Sequence, residues 1–189
     1  LDIDRVLAKY DSMYQSGYKM HFTSNHDENS WSGTEMARMG DSHKTFAVLT
    51  ATFDGMPLIY SGQESAMDKQ LEFFKKDEME WGDFAYAGFY KTLFELKHRN
   101  KALWNGDHGG ELVKIPTGND EHIYAFIRQK EGDKVVVILN LSAEKQSFAL
   151  QGSGFAGAYI DVFTPDAVLL KADMSMELGA WEYKVLEGK

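Results

Sequence analysis

Asn25, His26 and Asp27 are three consecutive side chains, each able to make more than one hydrogen bond, and they follow the short β-like run Tyr18-Lys19-Met20-His21-Phe22-Thr23. That reading places them at a strand's C-terminal end, where a hydroxyl-rich ligand can reach all three. An ionised Asp27 can accept from two adjacent hydroxyls while His26 donates to one. Asn25 is read as orienting its neighbours. Trp31 offers a flat face for stacking on a ligand ring, and serves equally well as a loop anchor.

Other chemistry-bearing groups fit less well. Asp27 and Glu28 are adjacent, so on a strand they would face opposite ways and make a poor acid/base pair. His21 and His26 do not have the spacing of a zinc-binding helix. The chain has no cysteine, which excludes disulfides and thiolate metal sites. No metal ligand set is assigned, although Asp68 is a minor candidate for a ligand or calcium contact. Asp77-Glu78-Met79-Glu80 reads as a solvated charge run, and Trp81, Trp104 and Trp181 read as core or domain-interface anchors.

The elements that must position these residues follow from periodicity. Ile3, Val6, Leu7, Tyr10, Met13 and Tyr14 lie at helical spacing over 3–16, with Gly17 as C-cap. Residues 18–23 read as a strand. Thr34 is a candidate N-cap for a helix reaching Phe53. Gly55-Met56-Pro57-Leu58-Ile59-Tyr60-Ser61-Gly62-Gln63-Glu64 contains a short buried strand, Met56–Tyr60, with Tyr60 as core. Gly55 and Pro57 set the turn into it, Gly62 allows a bend at its end, and Glu64 caps the next turn or holds the loop. A third helix is read over Phe84–Leu103. The order α-β-α-β-α indicates an α/β unit with a parallel sheet. Beyond the turn-rich stretch Asn105–Gly110, short strand-like runs alternate with turns: Glu111–Ile115, His122–Gln129, Lys134–Leu141, Gln146–Leu150, Tyr159–Phe163, Val168–Leu170, Met174–Leu178 and Glu182–Leu186. Gly132-Asp133 and Gly152-Ser153-Gly154 supply turn chemistry. This half reads as an antiparallel β-sandwich able to fold alone.

A composition of 43% hydrophobic residues supports a packed core, and a formal net charge of −9 argues against a nucleic-acid surface. No run is long and apolar enough for a membrane helix. The start at Leu1 shows neither an initiator Met nor a signal-peptide pattern, so localisation is unreadable and the chain is expected to begin within a larger protein.

Phe22-x-x-Asn25-His26-Asp27 and Gly55-x-Pro57-x-Ile59-Tyr60-x-Gly62-x-Glu64 together resemble two signature regions of the α-amylase family of glycoside hydrolases, in that family's order. Leu178-Gly179-Ala180-Trp181-Glu182-Tyr183-Lys184-Val185-Leu186 is similar to the family's last strand. The resemblance implies that residues 1–106 are the C-terminal portion of a (β/α)8 TIM-barrel catalytic domain and 107–189 a C-terminal β-sandwich domain. It implies that Asp27 is the transition-state-stabilising carboxylate, that His26 contacts the same sugar, and that Asn25 and Trp31 lie near substrate. Gly55, Pro57, Gly62 and Glu64 would be structural residues near the site. The family's nucleophile motif, G-x-R-x-D, and its acid/base Glu on the next strand are not matched here. The expectation is therefore a C-terminal fragment of a retaining hydrolase acting on α-1,4-glucans, inactive by itself. No cofactor is expected in this chain, with calcium possible in a full-length enzyme. The expected partners are an α-glucan, the N-terminal part of the barrel, and a second copy of the chain covering exposed apolar surface. The rival readings are a family transglycosylase or isomerase, and a non-catalytic glucan-binding or interaction module.

Overall fold

The computed structural model describes residues 3–13 and 16–188. The central strands explain the architecture. β4 (Ile123–Lys130) and β5 (Asp133–Asn140) are antiparallel, and their register pairs Lys130 with Asp133. The two residues between them, Glu131 and Gly132, both have positive φ, at 50° and 95°. That is the backbone a tight two-residue hairpin requires, because its twist matches that of the strands. The turn therefore sits one residue earlier than the Gly132-Asp133 reading.

Side chains alternate across these strands, and both faces are buried. Tyr124, Phe126, Val135, Val137 and Leu139 join one core; Ile123, Ala125, Ile127, Val136 and Ile138 join another. Burial on both faces is why Val135–Leu139 reads as a continuous apolar run. The full sheet has the order β3-β4-β5-β10-β7-β8, every pair antiparallel, with β3 Leu112–Lys114, β7 Gly157–Asp161, β8 Ala167–Leu170 and β10 Tyr183–Gly188. A two-stranded sheet of β6 (Gln146–Leu150) and β9 (Met174–Leu178) closes the second core with Phe148, Leu150 and Leu178. The β-rich half is thus an antiparallel β domain, as its turns and strand runs indicate.

The other face of the six-stranded sheet is covered by helices. Val48, Leu49 and Ala51 of α3 (His43–Thr52), Leu93 and Leu96 of α4 (Ala87–Arg99), and Ala102 and Leu103 of the following 3-10 turn pack onto Phe126, Val137 and Val185. Ile3 of α1 (Ile3–Met13) joins them, and Asp4 accepts from Tyr124 Oη at 2.8 Å. One core therefore spans both halves of the chain.

Several boundaries differ from the periodicity reading. Tyr14 and Gln15, at the end of the 3–16 helix, lie outside the described residues. The 34–53 helix is two helices, α2 (Glu35–Met39) and α3, because Gly40 at φ 52° breaks the axis and a 3-10 turn, Gly40–Ser42, follows. The third helix starts at Ala87 rather than Phe84. The two parallel strands are shorter than expected: β1 is Met20–His21 and β2 is Met56–Pro57, paired Met20 to Met56 and His21 to Pro57. Tyr60 is only half-buried. Trp81 and Trp104 are exposed rather than core, and Trp181 is half-buried.

Candidate functional site

β1 ends at His21, so Asn25, His26 and Asp27 do not sit on the strand. They open a helical turn that continues as a π-helix, Glu28–Ser32. Asn25 starts it: its Oδ1 accepts from the Glu28 amide at 2.8 Å, and its carbonyl accepts from the Asn29 amide at 2.9 Å. This is side-chain capping of a helix end. In a helical turn His26 and Asp27 project together, and His26 Nε2 lies 3.6 Å from Asp27 Oδ1, with both side chains about two-thirds exposed at 65% and 60%. An imidazole and a carboxylate side by side and open to solvent can grip neighbouring hydroxyls.

A buried network fixes this turn from below. Thr23 donates to Glu35, and Gln63 Nε2 donates to Thr23 Oγ1 at 2.9 Å and to Tyr90 Oη at 3.3 Å. Gln63 Oε1 accepts from the Tyr60 amide at 2.7 Å, which ties in the second motif. Arg38 donates to the Thr23 carbonyl at 2.8 Å and to the Gly33 carbonyl at 3.1 Å, and stands 3.6 Å from Glu28. Burial and the Glu35 and Glu64 charges raise the Tyr90 phenol, so it is a neutral hydroxyl whose oxygen accepts from Gln63. Thr23, Glu35, Arg38, Gln63 and Tyr90 were not legible as site residues. Their partners are separated by long stretches of chain, and only the polarity of Gln63 and Glu35 within apolar segments hints at them.

The glycines act as the second motif suggests. A Cβ on Gly55, at φ 144°, would lie 2.5 Å from the Lys19 carbonyl and 2.8 Å from the His21 ring. Only glycine permits that approach between β1 and β2. Gly62 has φ 101°, and its amide donates to Glu64 Oε2 at 3.0 Å. Glu64 thus holds its own turn, and Pro57 lies in β2 opposite His21.

Trp31 is exposed at the end of the π-helix and packs against Phe73, with ring centroids 5.3 Å apart. Thr34 caps α2 by accepting from the Ala37 amide at 3.1 Å, and donates to Asp68. Asp77 is not simply solvated. Lys69 Nζ donates to it at 2.7 Å, and the Lys69 bond together with the Glu72 and Glu78 amides holds its pKa down to about 2. Among the described residues no three His, Asp or Glu side chains gather in a way that would hold a metal ion.

Residues 114–185 match the family model described as Maltogenic Amylase, C-terminal domain. The chain is 26% identical over 163 residues to Alpha-amylase MalA of Haloarcula japonica, covering 79% of this chain and 22% of that protein. It is 26% identical over 175 residues to the 1,4-alpha-glucan branching enzyme GlgB of Lactobacillus acidophilus, covering 83% of this chain and 27% of that protein. Its fold superposes on the noncanonic maltogenic alpha-amylase AmyB from Thermotoga neapolitana with a TM-score of 0.77, at 21% identity, covering 97% of this chain and 44% of that one. These matches make the chain similar to the C-terminal region of α-amylase-family proteins. It spans about a quarter of the length of these curated relatives, at 22% and 27%. No helix among the described residues is long and apolar enough to cross a membrane.

Proposed function

We propose that this chain is the C-terminal part of a retaining glycoside hydrolase acting on α-1,4-glucans, with residues 1–106 the last units of a TIM barrel and 107–189 its C-terminal β domain. The observation that carries the reading is the exposed His26–Asp27 pair, capped by Asn25 at the mouth of the β1–β2 pair. Asp27 stabilises positive charge developing on the sugar, and His26 donates to a hydroxyl of the same ring. Trp31 stacks on a neighbouring ring, while Gly55, Pro57, Gly62 and Glu64 shape the strand ends beneath. These contacts gain most when the ring flattens toward the transition state, so they serve rate more than ground-state affinity.

A retaining mechanism also needs a nucleophile and an acid/base carboxylate. Among the described residues beside the pair, Glu28 faces Arg38 and Glu35 accepts from Thr23. On this reading both groups are supplied by the N-terminal part of the barrel.

The test is turnover of a chromogenic maltooligosaccharide by purified 1–189. No turnover is expected, since the covalent step lacks its nucleophile. Turnover at the rate of a complete enzyme would overturn the reading. The similarity to a branching enzyme keeps a second reading, glucosyl transfer rather than hydrolysis, which product analysis of a longer protein carrying this chain would separate.

A further inference from the structure

A second cavity lies at the other end of β2 from His26 and Asp27. It holds about 440 Å³ between Met56 of β2, Phe94, Lys97 and His98 of α4, and Trp104 and Asn105 of the turn leading into the β domain. Its walls are largely apolar: the Phe94 ring, the Met56 side chain and the Trp104 indole, whose Nε1 donates to the His98 carbonyl at 3.2 Å. Lys97 supplies an amine, and that side chain is buried. Its Nζ donates to the Leu103 carbonyl at 2.7 Å. Asn105 supplies an acceptor: its Oδ1 is buried and has no hydrogen-bond partner among the described residues. Apolar walls with a few polar atoms, at this volume, are the makeup of a small-molecule site.

A lysine amine is a nucleophile only when neutral, and two surroundings neutralise it: an apolar pocket and a neighbouring cation. Lys97 has both. Burial, then the Arg128 guanidinium, push its pKa down to about 8, with Asp54 opposing. The other titratable neighbours are His21 from β1 and His98 beside it on α4. Burial lowers the His21 pKa, so near pH 8 that ring is neutral and adds no charge. Exposed amines stand in the opposite case: Asp77 and Glu131 hold Lys69 and Lys101 cationic. Near pH 8 about half of Lys97 is neutral, against under about 1% of an ordinary lysine.

We infer that Lys97 is a carbonyl-reactive amine and that this cavity takes aldehydes with a flat aromatic body. The Nζ lone pair adds to the aldehyde carbon. The carbonyl π pair moves to oxygen, which takes up the proton that nitrogen gives up. The carbinolamine hydroxyl can donate to the unpaired Asn105 Oδ1, and His98 supplies the proton with which that hydroxyl leaves as water. The product is an imine and one water, with nothing oxidised or reduced. The aldehyde's ring rests against Phe94 and Trp104. These walls favour an aromatic body over a reducing sugar, whose hydroxyls would be desolvated there without partners. The cavity shares no residue with His26–Asp27, so it stands or falls separately from the glucan site.

The experiment exposes 1–189 to timed pulses of benzaldehyde, fixes the imine with borohydride and locates it by peptide mass mapping, for the native chain, Lys97→Met and Phe94→Ala. At about pH 8 the Lys97 peptide should be labelled at least about tenfold faster than any other lysine peptide, with a rate half-maximal near pH 8 rather than near about 10.4. Lys97→Met should lose this fast label and no other. Phe94→Ala should need several-fold more benzaldehyde for half the maximal rate, with the pH midpoint unmoved. Acetaldehyde, which has no ring, should label Lys97 with the same midpoint but without saturating where benzaldehyde does. That comparison needs only the native chain, so it holds even where Phe94→Ala fails to fold. Labelling of Lys97 no faster than of surface lysines, or a midpoint near the ordinary lysine value, would overturn the reactive amine. Equal saturation by the two aldehydes would overturn the aromatic seat. Glucose displacing benzaldehyde at equal concentration would overturn the ligand class.

Discussion

Two buried cations lie where the halves of the chain meet. Arg128 is fully buried, and its guanidinium donates to the carbonyls of Gly110 at 2.8 Å, Thr52 at 3.0 Å and Trp104 at 2.7 Å. Lys97 is 9% exposed and donates to the Leu103 carbonyl at 2.7 Å. Burial, and then the Arg128 charge, push the Lys97 pKa down to about 8. The sign of the consequence is fixed by linkage. Between about pH 8 and the ordinary lysine value of about 10.4, the unfolded chain holds a proton that the folded chain has lost, so stability rises with pH in that window. Below it both states are protonated and the burial cost is present in full. Lys97→Met should remove this rise. The difference in unfolding free energy between native and variant, followed by urea titration from pH 7 to pH 10, should change by about 2 kcal/mol. A pH-independent difference would show that Lys97 is not titrating in the fold. None of this was legible beforehand. A lysine and an arginine in apolar segments read as surface groups, and the carbonyls that satisfy them come from distant turns. Asn25, His26 and Asp27 were legible because three multivalent polar side chains in sequence need no tertiary information to be noticed.

At the scale of elements, β1 and β2 depend on one glycine. Gly55→Ala would press a Cβ against the Lys19 carbonyl at 2.5 Å in a left-handed backbone, and backbone cannot step aside as a flexible side chain can. The expected loss is at least about 2 kcal/mol of stability, read as a lower denaturation midpoint. Gly17→Ala, with nothing within 4 Å of its Cβ, faces no such contact and should cost less. Equal effects would show that the strand contact is unimportant. The long strands β4, β5 and β10 were legible, because β-branched and aromatic runs bounded by turns leave few alternatives. The two-residue lengths of β1 and β2 were not, since a strand's extent is set by the partners it finds. The break between α2 and α3 had a signal in Gly40-Asp41-Ser42, but apolar residues continuing on both sides outweighed it.

At the scale of the molecule, the decisive feature is the shared core. Phe126, Val135, Val137, Leu139 and Val185 have almost no exposure because α3, α4 and the Lys101–Leu103 turn cover them. Residues 107–189 alone would present this apolar face to water, contrary to the sandwich's expected autonomy. Exposed faces of that kind drive association. The separate piece should therefore aggregate or melt well below the whole chain, and 1–189 should unfold in one transition by calorimetry. Two resolved transitions would show that the halves are independent. The two-part plan was visible in the change of period near Asn105–Gly110. The joint core was not, because nothing local marks which sheet face a helix will choose.

The central claim is that Asp27 answers positive charge on the sugar, and it is tested most directly by comparing two ligands of equal length on 1–189: neutral maltotetraose and an amine-bearing pseudo-tetrasaccharide that carries the charge of the oxocarbenium-like state. A charge partner placed for the transition state should favour the cationic ligand by about tenfold, and Asp27→Asn should remove that preference while leaving maltotetraose within about twofold. Equal affinity for both ligands, or a preference that survives Asp27→Asn, would contradict the account.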